Sequence, residues 1–331
     1  MGRLAIRILL PIFIGVFLVG AVGAAWWGHE RFAATGPLQR PVTMVIAKGA
    51  GPDSIAGLLR DGGVFAGIAA REIFIIGARL TDRARRMRAG EYEFSPGISM
   101  DDAITLLVDG KTVKRKLTIA EGLTTRQALA LVAGAEGLTG RIPASPGEGA
   151  LLPETYFFSH GDTRIGLVKR MAKARNDFLT RAWSGRAQGI MLKSRDEALI
   201  LASIIEKETG RSGERARISA VFHNRLRRGM RLQSDPTVSY AITGPTRPLG
   251  RALTRRDLKT ASPFNTYRVH GLPPTPIANP GRDSIHAALH PSKDRDLYFV
   301  ADGKGGHAFA RSLAQHNRNV AKWRRLKRLK K

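Results

Sequence analysis

A run of 20 uncharged, mostly apolar residues from Ile8 to Trp27 lies directly behind Arg3 and Arg7 and constrains everything after it. At about 1.5 Å per helical residue such a run spans roughly 30 Å, the thickness of a bilayer's hydrocarbon core. Trp26 and Trp27 close it, as aromatic rings do where lipid meets water. Positive charge precedes the span. The sequence therefore predicts a cytoplasmic tail over 1–7, a single transmembrane helix over 8–27, and an exported remainder. A cleaved secretory signal is the alternative, but its apolar region would be long and Ala24-Ala25-Trp26-Trp27 is a poor cleavage site. Both readings export the chain.

Export sharpens what composition means. The 331 residues contain no Cys, which excludes disulfides, thiol catalysis and Cys-based metal sites. Lys and Arg total 54 against 27 Asp and Glu, a formal charge of +27 that suggests a polyanionic partner. Nucleic acid is the usual first candidate, yet little is available outside the membrane. Anionic lipid headgroups and an acidic wall polymer are what a bacterial envelope offers, and a general drift toward Arg is the plain alternative. His286 and His290 have i, i+4 spacing without an HExxH pattern, and neither a Gly-x-Ser-x-Gly elbow nor a Gly-rich phosphate loop is present. The expectation is no metal, no cofactor and no nucleic acid.

Residues 28–41 read as a polar, Gly/Pro-containing linker. A pattern then recurs: a short strand, a Gly turn, a Ser/Thr cap and a short amphipathic helix. It begins at Val42 with Ser54 as cap, returns at Glu91 with Ser99, and again at Lys116 with Thr124. Tandem units of this size suit a small α+β module, a type that holds linear glycans in shallow grooves or serves as a spacer. A larger domain follows. Helices are expected over about 166–183, over 194–209 with Ser194 and Glu197 as a capping box, and over 214–228 before Gly229. The Pro/Gly-rich stretch 233–291 is too long for idle loop. A strand at Leu297–Val300 and a helix with eight basic residues among the fourteen of 318–331 end the chain. That helix docks on the domain, touches anionic polymer or lipid, or is simply solvated.

The segment Leu201-Ala202-Ser203-Ile204-Ile205-Glu206-Lys207-Glu208 is an apolar helix ending in two carboxylates. At about 100° per residue, Glu206 and Glu208 point to nearly opposite sides and cannot share one cleft. Glu208 continues the stripe of Leu201 and Ile204, where lost solvation would raise its pKa and hold a proton near neutral pH. On helical geometry it is the better general acid. The other reading makes both Glu residues surface charges at a helix end. Two polar clusters, Gln233-Ser234-Asp235-Pro236-Thr237 and Asn265-Thr266-Tyr267, offer the amides, hydroxyls and aromatic face that sugars need, or ordinary turn chemistry.

Taken in order, Leu201 to Thr209, Val221-Phe222-His223-Asn224-Arg225-Leu226, Met230 to Thr237, Asn265-Thr266-Tyr267, Gly271-Leu272-Pro273-Pro274, His290-Pro291 and Tyr298 to Gly303 resemble the endolytic murein transglycosylase MltG (YceG-like) family. The resemblance covers about 40–320. It implies an α+β chain with an N-terminal transmembrane helix, a small LysM-like subdomain over 42–112 and a catalytic domain over 113–331. It implies an inner-membrane, single-pass protein working in the periplasm on peptidoglycan glycan strands, beside the wall synthases. Glu208 would be the acid/base of a lyase reaction leaving 1,6-anhydro ends. Gln233, Ser234, Asp235, Asn265 and Tyr267 would position the glycan, with Glu154 assisting. Two other readings stay open here: a hydrolase with Glu154 or Asp235 as second carboxylate, and a non-catalytic glycan-binding scaffold.

Overall fold

The computed structural model describes residues 2–329, and side chains from 12 to 328. Met1, at the start of the expected tail, and Lys330 and Lys331, at the end of the basic helix, lie outside the described residues. The chain forms two compact units, Met1–Arg115 with Ser159–Gly161, and Lys116–Phe158 with Asp162–Lys331.

In the first unit, helix α1 (Gly2–Ala33) contains the apolar run. From Ile12 to Ala33 it is long and apolar enough to cross a membrane. It continues six residues into the expected linker, and Phe32 at its end is buried in the unit's core. The remaining link is also held down: the Gly36 amide donates to the Gly97 carbonyl, and the Gly97 amide to that of Leu38. After it come β1 (Val42–Ile46), α2 (Pro52–Asp61), α3 (Ala70–Leu80), β2 (Gly90–Phe94) and α4 (Met100–Asp109). β1 and β2 pair antiparallel, from Val42 opposite Phe94 to Ile46 opposite Gly90. Tyr92 and Phe94 face a core of Leu59, Phe74, Ile104 and Leu107, all fully enclosed. Helix α2 starts one turn earlier than the Ser54 signal, with Pro52 in its first turn, where a missing N–H is harmless. Ser99 caps α4 as expected, accepting from the Asp102 amide at 3.0 Å. Helix α3 has no start signal: its N-cap is Ala69 in the left-handed region, and small Ala70 and Ala78 flank Phe74 on its buried face.

The third strand-turn-helix repeat belongs to the second unit. β3 (Arg115–Thr118) pairs with β4 (Thr155–Phe158), not with β1 or β2, and between them α5 (Thr125–Gly134) opens on a complete Thr124–Gln127 capping box. Then follow α6 (Arg164–Ser184), α7 (Arg195–Glu208), α8 (Ser212–Arg227), α9 (Asp235–Thr243), α10 (Arg282–Leu289), the antiparallel hairpin β5 (Tyr298–Ala301) and β6 (His307–Ala310), and α11 (Leu313–Leu329). Helix α7 is the axis of this unit. Every residue from Ala198 to Ile205 is buried, so it is apolar all round as a central helix must be. Its cap differs by one residue from the expected box: Ser194 accepts from the Glu197 amide, but the Glu197 carboxylate takes the Lys193 amide at 2.6 Å. The Pro/Gly-rich stretch carries α9 and α10, and Asn279 anchors it. Fully buried, its side chain accepts from the Leu151 amide at 2.9 Å and donates to the Leu123 carbonyl at 2.9 Å. Helix α11 docks on the hairpin, with His316 stacked on Tyr298 at 5.1 Å.

A Cβ at Gly36 would run into the carbonyl oxygens of Ile98 and Val64, which are backbone and cannot step aside. Gly36→Ala should therefore destabilise the protein by about 1–3 kcal/mol, the usual cost of overpacking. Thermal melting of the two proteins checks this, and an unchanged midpoint would contradict the docked link.

Candidate active site

Glu208 is the last residue of α7, and its carboxyl leaves the helix into a framework laid down by the α8–α9 connection and the 260s loop. Ser234, the N-cap of α9, donates its hydroxyl to Glu208 Oε1 at 2.5 Å. That hydroxyl has little freedom to move. The Ser234 amide donates to Thr266 Oγ1 at 3.0 Å, Thr237 Oγ1 donates to the Ser234 carbonyl at 2.7 Å, and the Thr237 and Thr266 hydroxyls meet at 2.8 Å. Gln233, just before, sits at φ +54, and its amide donates to the Thr266 carbonyl at 3.1 Å. A non-glycine residue in the left-handed region is uncommon and persists where surrounding bonds over-determine it.

Arg225 of α8 supplies those bonds. Buried, it donates to the carbonyls of Leu297 (2.7 Å), Arg231 (3.1 Å) and Leu232 (2.9 Å) and to Gln233 Oε1 (3.0 Å). One guanidinium thus fixes the strand of chain that delivers Ser234 to Glu208. Asp235, next along, accepts from the Tyr267 hydroxyl at 2.6 Å. Burial and this bond to a carboxylate push the Tyr267 phenol well above its ordinary range, so it stays a donor.

Burial is also the largest influence on Glu208, and it disfavours the charge. The Ser234 hydrogen bond opposes it, the Asp235 carboxylate adds to it, and the Arg225 charge opposes it; the pKa settles at about 7. Glu206 has a different fate. It accepts from the Gly281 amide at 2.9 Å and faces the Arg215 guanidinium at 3.5 Å, which Glu121 and Asp283 also approach at 3.5 Å. The two carboxylates of α7 do point apart, and neither is a free surface charge.

A cleft of about 540 Å³ is lined among others by Lys207, the residue before Glu208, by Asp235, the residue after Ser234, and by Tyr240, Arg247 and Ile277. Gln233, Ser234, Asp235 and Tyr267 are brought together around Glu208. Two expected glycan-positioning residues are not. Asn265 is fully buried; its side chain donates to the Leu258 and Thr260 carbonyls at 3.1 and 2.8 Å and accepts from the Tyr267 amide at 3.0 Å, so it shapes the loop that carries Tyr267. Glu154 is paired with Arg282 at 2.5 Å and makes no bond to this cluster among the described residues. Sequence reasoning gave no role to Thr237, Thr266 or Arg225, although all three stand inside motifs it quoted. His286 and His290 stack on each other at 4.2 Å, and the His290 ring nitrogens meet the carbonyls of His286 and Gly185.

Comparison with known proteins places this geometry. The YceG-like family profile matches residues 44–322. The chain belongs to the YceG-like family. A Bacillus subtilis member named endolytic murein transglycosylase is 31% identical over 317 residues, covering 85% of this chain and 84% of its own. A protein of the same name from Streptococcus pneumoniae is 34% identical over 184 residues, which is 53% of this chain and 32% of the longer pneumococcal one. A crystal structure of a YceG-like protein from Listeria monocytogenes is 32% identical, covers 84% of this chain and 99% of its own, and superposes with a TM-score of 0.49. Family membership covers every residue of the Glu208 cluster.

A raised carboxyl pKa has a signed consequence for stability. Below the unfolded value near 4.5 both states hold the proton; as pH rises toward about 7 the folded state alone keeps it, and that contribution is lost through the folded pKa. Glu208→Gln should therefore be more stable than wild type at pH 8, with the advantage fading as pH falls to 4.5. Melting temperature against pH measures it. A constant offset across that range would contradict the raised pKa of this partly buried carboxyl.

Proposed function

We propose that this chain is a membrane-anchored lytic transglycosylase that cuts peptidoglycan strands internally, between N-acetylmuramic acid and N-acetylglucosamine. The observation that carries the reading is the Glu208 carboxyl, its pKa raised to about 7 and its position fixed by Ser234, whose chain neighbours Lys207 and Asp235 line an open cleft. Relatives that match most of this chain bear the name endolytic murein transglycosylase.

The chemistry needs one such group. Glu208 gives its proton to the glycosidic oxygen as the bond from muramic C1 breaks and positive charge develops at C1. The resulting carboxylate, still held by the Ser234 hydroxyl, takes the proton of the muramic C6 hydroxyl. C6 oxygen closes on C1, leaving a 1,6-anhydro end and a free hydroxyl on the departing sugar. Atoms balance without water, and Glu208 ends protonated for the next turn. A pKa of about 7 suits a group that must act as acid and then as base. Asp235, lining the cleft with Tyr267 bonded to it, places negative charge near the developing cation. Asn265 acts from behind the surface, by holding Tyr267, while the exposed Gln233 keeps its backbone on Thr266 and its side chain on Arg225. Glu154 is tied to Arg282, which weakens the two-carboxylate hydrolase reading.

The other parts fit the same task. α1 anchors the chain, with Arg3 and Arg7 keeping its start in the cytoplasm and both folded units in the periplasm, at the inner membrane. The antiparallel β1–β2 pair enclosing α2 and α3 supports reading 42–112 as a LysM-like glycan-holding module, ahead of a catalytic domain over 113–331. Cutting nascent strands there, beside the synthases, would limit glycan length.

Glu208→Gln should lose activity by about 10²–10⁴-fold, the usual worth of a positioned acid/base. Mass spectrometry of products from purified glycan strands reads both rate and chemistry. Wild type should yield anhydro ends with no oxygen taken from ¹⁸O-labelled water. Undiminished activity in the variant, or products heavier by one water, would refute the assignment.

A further inference from the structure

Helix α3 buries Ala70, Phe74 and Ala78 in the core of the first unit. Its other face carries Ile73, Ile76 and Leu80, the i, i+3, i+7 spacing of a single helical stripe. Leu80 is 83% exposed and Ile76 53%. Scattered exposed apolar residues are ordinary. These are not scattered, because they share an apolar groove of about 620 Å³ with Ala24, Ala25 and Trp27, the last residues of the apolar run. Gly77 lets the two helices meet: a Cβ there would enter the Phe32 ring. Helices α1 and α3 belong to one compact unit, so the stripe stays next to the end of the span. Arg79, Arg85 and Arg86 are exposed on and just beyond the end of α3, and Arg31 lies over the Trp27 ring at 5.7 Å.

We propose that the α3 stripe is a second membrane contact: Ile76 and Leu80 enter the interfacial layer of the bilayer that α1 crosses, while Arg79, Arg85 and Arg86 meet anionic phospholipid headgroups. The inference rests on α1 being a membrane span. Two features make the occupant lipid. The groove is continuous with the lipid-facing end of α1, and exposed arginines stand beside the apolar stripe, the pairing of an interfacial helix on an anionic surface. A lone span leaves the attached unit free to swivel. A second contact beside it sets the tilt of the first unit against the membrane.

The native chain has no Cys, so single cysteines report cleanly. Full-length protein carrying Val19→Cys or Leu80→Cys, each with an environment-sensitive fluorophore, is reconstituted into vesicles of phosphatidylglycerol and phosphatidylethanolamine. Nitroxide-bearing lipid and aqueous iodide are the two quenchers. Position 19 tests the span: loss of emission with nitroxide lipid is required there first, and its absence overturns both readings. With the span in place, the label at 80 should also lose most of its emission to nitroxide lipid and resist iodide. Phosphatidylcholine vesicles, or the combined charge reversals Arg79→Glu, Arg85→Glu and Arg86→Glu, should restore emission at 80 while leaving position 19 unchanged. A label at 80 quenched by iodide and not by lipid overturns the proposal. So does a label shielded from both quenchers whose unlabelled cysteine forms a disulfide-linked dimer, since the groove would then hold a second copy of the chain.

Discussion

The withdrawal of one carboxyl group from water governs the second unit. An ionised carboxylate in an apolar setting is expensive, and a protein meets that cost by pairing the charge or by keeping the proton. The two glutamates of α7 divide between these solutions. Glu206 is paired, held by a backbone amide and a guanidinium. Glu208 has one hydroxyl and a negatively charged neighbour, so it keeps its proton to about pH 7. Two residues of helix separate a paired carboxylate from one whose proton is retained to about pH 7.

Most of the surrounding polar chemistry serves that single bond. Arg225 spends its donors on Leu297, Arg231, Leu232 and Gln233, and the Thr237–Thr266 pair holds Ser234 from two directions. Such a network costs flexibility and gains a donor whose position is set before substrate arrives. A cleft nearby carries Lys207, Arg247 and Arg251 on its walls together with the Asp235 carboxylate, so its lining is cationic on balance. Part of the large positive charge thus has a place in the account.

What the sequence made legible follows from range. Helices α6 to α8 were readable from apolar spacing, with Ser194 as the cap of α7 and Gly229 as the stop of α8, because such signals are local. So were Ser99 and Thr124 as caps. Helix α3 and strand β6 were not: α3 lacks a side-chain cap and hides its period behind alanines, and β6 is four residues paired with β5. The divergence of Glu206 and Glu208 was legible as helical geometry. The bond from Ser234 to Glu208 was not, since 26 positions separate them. Asn265 and Glu154 show how distant partners stay hidden in a sequence. An amide and a carboxylate look like sugar ligands until a neighbouring loop claims one and Arg282, 128 positions on, claims the other.

Ionisation of Glu208 itself decides the account. Carboxyl resonances of ¹³C-labelled glutamate, assigned by their absence in Glu208→Gln and followed from pH 3 to 9 on full-length protein, give its midpoint directly. A midpoint near 7 is what a poorly hydrated acid held by Ser234 should show. Titration in the ordinary carboxylate range, near 4.5, would mean the group is solvated and charged at neutral pH, and the proposed acid would have no proton to give.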